Sequence, residues 1–118
     1  MYTIRVESTF SSAHNLRHYK GKCEELHGHN WKVEIALASD SLDKCGMVMD
    51  FTELKAGLRE ELERLDHKYL NTIPYFEKVN PTSEHIAGYL YGIFKTKFPS
   101  LKSVTVWENA TSSATYEE

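Results

Sequence analysis

The chain has 118 residues and a formal net charge of −3, with 41% hydrophobic and 26% charged residues. That length predicts one domain, residues 1–118, able to bury about two-thirds of its unfolded surface. The acidic balance and the lack of a basic run argue against nucleic-acid binding, and no apolar segment is long enough for a signal peptide or a membrane span. Two cysteines make no disulfide framework, so a reducing cytoplasm is the expected compartment.

Residues 2–10 alternate, with Tyr2, Ile4, Val6 and Phe10 on one side and Thr3, Arg5, Glu7 and Thr9 on the other, which predicts a first strand. Residues 11–26 read as a loop carrying His14, His18, Lys20-Gly21-Lys22 and Cys23. A second strand is expected from His27 to Ala38, where odd positions are apolar and even ones mostly polar. Turn residues 39–46 follow, and Met47-Val48-Met49 suggests a short extended return. Asp50 is a good N-cap, and Glu53 three residues later completes a pattern resembling a capping box. Phe51, Leu54, Leu58, Leu62 and Leu65 then form the apolar stripe of a first helix.

Residues 71–81 read as a loop holding two of the three prolines. Thr82 or Ser83 caps a second helix whose buried stripe is Ile86, Leu90, Ile93 and Phe94, ending near Phe98-Pro99. Leu101 to Glu108 and Ser113 to Glu117 are the third and fourth strands. The order is ββααββ, an α+β arrangement of two helices on an open four-stranded antiparallel sheet. Its edges are unprotected, and pairing them between subunits is the expected remedy.

The most informative stretch is Cys23-Glu24-Glu25-Leu26-His27-Gly28-His29. Side chains two apart on a strand share a face, so His27 and His29 project together with Trp31. Gly28 adds no side chain and permits a close approach to the backbone. A catalytic zinc usually has three protein ligands and an open position, and His14, at the end of the first strand-like run, is the third candidate. Imidazole suits zinc, and no carboxylate cluster argues for magnesium or calcium. Cys23 reads two ways: a thiolate near a metal acts as base or nucleophile, or as a fourth ligand closing a structural site. Asp66-His67 is an acid and imidazole pair where the first helix runs out, fit for proton relay or for a helix-dipole contact worth up to ~1 kcal/mol. Glu108 continues the Val104/Val106 face, so it is either solvated past the strand end or paired with a two-donor partner, such as a guanidine-like ligand edge. Thr82, Ser83 and Asp50 are most simply helix-start residues, while His18, His85 and Cys45 have no partner pattern.

Six blocks in order carry a family resemblance: Phe10-Ser11-Ser12-Ala13-His14, Cys23 to His29, Gly46 to Phe51, Leu65 to Asn71, Asn80 to Glu84, and Val106-Trp107-Glu108. Together they resemble the 6-pyruvoyl-tetrahydropterin synthase family, specifically its bacterial 6-carboxy-tetrahydropterin synthase branch. The resemblance implies the tunnelling fold (T-fold), in which subunits join their sheets into a barrel. It further implies a homohexamer of two trimers with active sites between subunits. It implies one zinc per subunit on His14, His27 and His29, proton transfer by Cys23, Asp66 and His67, and a pterin held by Glu108 near Thr82 and Ser83. The implied reaction converts 7,8-dihydroneopterin triphosphate to 6-carboxy-5,6,7,8-tetrahydropterin, releasing triphosphate and acetaldehyde, for queuosine and related deazapurine synthesis.

Glu24 departs from a simple match. A related subgroup carries a glutamate three residues before the His-Gly-His and makes 6-hydroxymethyl-7,8-dihydropterin for folate synthesis, so that product or both products are alternatives. The animal 6-pyruvoyl activity fits less well, because its cysteine is spaced farther from the histidines. A non-catalytic, zinc-stabilised oligomer closed by Cys23 is the rival from outside enzymology.

Overall fold

The computed structural model describes residues 1–19, 21 and 24–118. Two long strands, β1 (Tyr2–His14) and β2 (His27–Ser39), pair antiparallel over their full lengths. Helix α1 (Phe51–Leu62) follows, then a two-residue strand β3 (Lys68–Tyr69), two 3₁₀ turns (Leu70–Thr72 and Pro74–Glu77) and helix α2 (Ser83–Lys97). Strands β4 (Leu101–Asn109) and β5 (Ser112–Glu117) form a closing hairpin, and the sheet order is β3-β1-β2-β4-β5.

The expected α+β class and two-helix, one-sheet layout hold, with corrections. The sheet has five strands, because β3 runs parallel to β1 at Ser12 and Ala13. Strand β1 continues through residues 11–14, placed in the loop by pattern reading, because its ladder with β2 runs on to His14↔His27. Residues 47–49 form no strand where an extended return was expected, with Val48 and Met49 in bends. The stretch 71–81 winds into 3₁₀ turns that bury Leu70, Asn71 and Phe76.

Asp50 caps α1 by accepting from the Thr52 amide. The helix ends at Leu62, three residues short of the apolar stripe, yet Leu65 stays buried in the turn beyond. Phe51 belongs to the stripe by spacing but is 55% exposed. Thr82 caps α2, its hydroxyl accepting from the His85 amide.

The core lies between the sheet and the helices. Even-numbered residues of β1 (Val6, Phe10), odd-numbered residues of β2 (Trp31, Val33, Ile35) and Val104 and Val106 of β4 meet Leu54, Leu58, Leu62, Ile86, Leu90 and Phe94. Phe10 lies directly opposite Trp31 in register and stacks on it with ring centroids 6.0 Å apart. The same alternation that buries this face carries His14, His27 and His29 onto it, at the end of the sheet where the core runs out. No described helix is long and apolar enough to cross a membrane.

Candidate metal centre

Three strands bring the site together. Register places His14 opposite His27, and Ser12 opposite His29, so three imidazoles from two adjacent strands share one face. The paired register of β2 with β4 ends at Lys32↔Trp107, which leaves Glu108 next in line beside the same cluster. One ligating atom each from His14, His27, His29 and Glu108 fits within 4.8 Å of every other. Trp31 forms the buried floor: its ring is 4.9 Å from that of His14 and 5.3 Å from that of His29, and its indole N–H donates to the Ser12 carbonyl.

Backbone carbonyls fix the chemistry of two of these rings. His14 Nδ1 lies 2.8 Å from the Pro81 carbonyl and His27 Nδ1 lies 2.7 Å from the Glu25 carbonyl. A carbonyl oxygen only accepts, so both Nδ1 atoms carry their protons, and in the neutral rings both Nε2 atoms are lone pairs. Those two Nε2 atoms face each other at 2.9 Å. Two lone pairs at that distance repel unless a proton or a metal cation lies between them. His14 is 2% exposed, and burial holds its pKa below the ordinary histidine value of 6.5, with the Pro81 bond and Glu108 opposing and the neighbouring imidazoles assisting. Burial likewise lowers the pKa of His29, against the attraction of Glu108. Neutral rings with converging lone pairs suit a metal better than protons.

His29 supplies the third indication. Its Nε2 is buried without a hydrogen-bond partner among the described residues, although Glu108 Oε1 lies 3.2 Å away. The distance satisfies an ion pair, but no hydrogen bond forms, so this ring nitrogen has no partner among the described residues. Orphaned buried polar groups of this kind are rare without an ion or ligand to meet them. The donor set of three imidazoles beside one carboxylate fits zinc or a similar divalent transition metal.

Glu108 is in β4, at a register irregularity with β5, so the strand has not ended before it. Its Oε1 is 3.3 Å from His14 Nε2. The alternation argument placed this carboxylate on the buried side correctly, and the partners it finds within the protein are imidazole edges.

Asp66 and His67 lie apart from this cluster, on the outer edge of β1. Asp66 Oδ1 accepts from the Ser11 amide at 2.8 Å, and that bond, more than the neighbouring His67, keeps the carboxyl below its usual range. Asp66 Oδ2 meets His67 Nδ1 at 2.9 Å, and the His67 amide donates back to the Ser11 carbonyl. His67 has φ 55° and its ring is 83% exposed. A non-glycine residue held in the left-handed region at a surface corner marks a constraint worth a functional explanation. Among the described residues no hydrogen bond or ion pair links the dyad to the three histidines of its own chain.

Glu24 is exposed in the loop before β2. Cys23 lies outside the described residues. Thr82 and Ser83 start α2 next to Pro81, whose carbonyl orients His14. Pattern reading missed the carbonyls of Pro81 and Glu25, since backbone acceptors leave no side-chain signal. Gly28 has no atom of the described residues within 4 Å of where a Cβ would stand.

Comparisons with known proteins agree with this geometry. The family model described as 6-pyruvoyl tetrahydropterin synthase matches residues 3–118. The chain is 43% identical to a 6-carboxy-5,6,7,8-tetrahydropterin synthase of Synechocystis, over 98% of this chain and 93% of that protein. It is 36% identical to a 6-pyruvoyl tetrahydrobiopterin synthase of Dictyostelium discoideum, over 79% of this chain and 76% of that one. Among solved structures, the 6-pyruvoyl tetrahydropterin synthase of Caenorhabditis elegans superposes with a TM-score of 0.90 at 28% identity, covering 99% of this chain and 95% of its own.

Proposed function

The chain belongs to the 6-pyruvoyl tetrahydropterin synthase family, a family of lyase-type pterin enzymes, and from that premise we propose a specific reaction. The enzyme converts 7,8-dihydroneopterin triphosphate to 6-carboxy-5,6,7,8-tetrahydropterin, releasing triphosphate and acetaldehyde, and its product feeds queuosine and other deazapurine pathways. The observation that carries the choice of product is the likeness to the Synechocystis protein. The observation that carries the chemistry is the convergence of imidazole lone pairs at His14, His27 and His29.

His14, His27 and His29 would hold a zinc ion, which when bound would supply Lewis-acid polarisation of the substrate's side-chain oxygens and make the adjacent C–H protons more acidic. Glu108 offers two carboxylate oxygens to the paired N–H donors of the pterin's guanidine-like edge, a bidentate match. Trp31 keeps the floor of the site dry, so charges above it are less screened. The Cys23 thiolate takes a proton, and the Asp66–His67 pair holds and returns one. The Thr82-Ser83 corner, one residue from Pro81, borders the pterin.

The dyad reaches a site through assembly. His67 projects from the outer edge of β1, and that edge from Tyr2 to Phe10 has no strand beside it among the described residues. Beside it lies a cleft of about 300 Å³ lined by Tyr2, Ile4, Leu42, Met47, Met49 and Phe51. A bare strand edge next to exposed apolar side chains favours pairing with another copy. A homohexamer of two trimers, with sheets continued from subunit to subunit, covers both and brings each His67 to a neighbouring site.

Product identification tests the reading. The zinc-loaded protein is given 7,8-dihydroneopterin triphosphate and the pterin is identified by mass spectrometry. The expected products are 6-carboxytetrahydropterin and acetaldehyde. Formation of 6-hydroxymethyldihydropterin would assign Glu24 a working role and move the enzyme toward folate synthesis. No turnover would return the zinc-stabilised structural oligomer.

A further inference from the structure

The segment joining His14 to His27 is twelve residues long and includes Glu24. Left free, such a segment would place its acid-base groups only loosely over the site. Three asparagines hold its described ends, Asn15 and Arg17 on one side and Glu24 on the other. The Asn71 side chain accepts from the Asn15 amide at 3.0 Å and donates to the Asn15 carbonyl at 2.9 Å. The Asn80 side chain repeats the arrangement on Arg17, accepting from its amide at 2.9 Å and donating to its carbonyl at 2.9 Å. Each carboxamide therefore stands in for a neighbouring strand, satisfying both backbone groups of one residue after β1 has ended.

The chain of bonds runs onward to Glu24. Asn15, its backbone gripped by Asn71, donates its side-chain N–H to the Glu24 carbonyl at 3.2 Å, while Tyr69 donates its hydroxyl to Asn15 Oδ1 at 2.5 Å. Asn71 is 6% exposed, so its carboxamide is committed and dry. The two clamping residues also border the rest of the machinery. Asn71 ends the stretch that begins with Asp66-His67, and Asn80 precedes Pro81, whose carbonyl orients His14.

We propose that Asn15, Asn71 and Asn80 are positioning residues of the reaction, an amide relay that fixes the segment after His14 and, through Asn15, the backbone of Glu24. This rests on the pterin-converting function proposed above. The relay touches no ligand nitrogen, so its loss acts on the placement of acid-base groups. A misplacement of about 1 Å can cost on the order of 100-fold in rate.

Asn15→Asp tests it with little risk to folding. It keeps the acceptor for Tyr69 and replaces the donor to Glu24 with a second acceptor. Asn71→Asp makes the parallel change at the buried clamp. Three quantities are read for Asn15→Asp: zinc content, kcat with KM, and amide exchange at Glu24 and Glu25. The inference expects parental zinc content, KM within about threefold, kcat reduced about tenfold or more, and faster exchange. A kcat within twofold of the parent would overturn it, whatever the exchange does. So would a fall in kcat that merely tracks lost zinc. Unchanged exchange at Glu24 would overturn the relay even if the parent protein turns nothing over, so failure of the reaction and failure of the relay are told apart.

Discussion

His14 Nε2 and His27 Nε2 face each other at 2.9 Å, with each ring's remaining nitrogen already bonded to a backbone carbonyl. This relationship suits a cation site better than a hydrogen-bonded pair. It predicts that removing either ring costs more than the roughly 10- to 100-fold in metal affinity typical of losing an outer-shell partner. His14→Ala and His27→Ala proteins, assayed by competition against a zinc chelator, should each bind zinc more than about 100-fold more weakly than the parent.

The pH dependence follows from burial. The pKa values of His14 and His29 are lowered by desolvation, so the fold carries fewer protons there than the unfolded chain does. Stability therefore rises with pH across a window whose upper limit is the ordinary histidine value of 6.5, and is lost as pH falls below it. The metal-free protein should melt at a lower temperature at pH 5.5 than at pH 7.5. Zinc should be released over the same acid range, since protons and metal compete for the same lone pairs. An unchanged or higher melting temperature at pH 5.5 would contradict this.

At His67 the backbone and the ring separate cleanly. The residue sits at φ 55°, a conformation that asparagine accepts with less strain. His67→Asn should therefore keep the parental melting temperature while losing turnover by about 100- to 10,000-fold, the usual range for a general acid-base group. Thermal melts and single-substrate kinetics check both halves.

Glu108 can be separated from metal binding. Glu108→Gln keeps the side chain's shape but turns one acceptor into a donor, which clashes with a ligand edge of two donors. Zinc content should stay at one per chain, while the dissociation constant for a dihydropterin rises about tenfold or more, a cost of roughly 1.4 kcal/mol. Titration calorimetry on the zinc-loaded variant measures it.

A control lies far from the site. A Cβ added at Gly57 would stand 2.5 Å from Phe98 Cζ, in a ring only 7% exposed. Alanine gains about 1 kcal/mol of helix propensity over glycine, but overpacking costs about 1–3 kcal/mol. The clash should win, so Gly57→Ala should lower the melting temperature and leave zinc content unchanged.

Much of this arrangement is legible in the chain. Alternation in β2 places His27 and His29 on the face of Trp31, whereas His14 joins them because β1 runs past its expected end, its ladder continuing to His14↔His27. Asp50 and Thr82 announce the helix starts by their capping chemistry. Strand β3 is invisible, since two residues carry no periodicity and Lys68 and Tyr69 are both exposed. Phe51 misleads, because it follows the stripe by spacing yet lines the open cleft beside Tyr2 and Ile4. The Pro81 carbonyl and the Asn71 and Asn80 clamps are hidden for a different reason: their partners lie 56 to 67 positions away in sequence, and nothing local marks a carboxamide as a strand substitute.

The central claim is an open three-imidazole zinc centre, and the most direct measurement is zinc K-edge absorption on the purified protein with its metal content determined. The account predicts one zinc per chain, with three nitrogen ligands at about 2.0–2.1 Å, a further light-atom ligand and no sulfur. A zinc–sulfur distance of about 2.3 Å would mean that Cys23 closes the site, and the centre would be structural rather than catalytic.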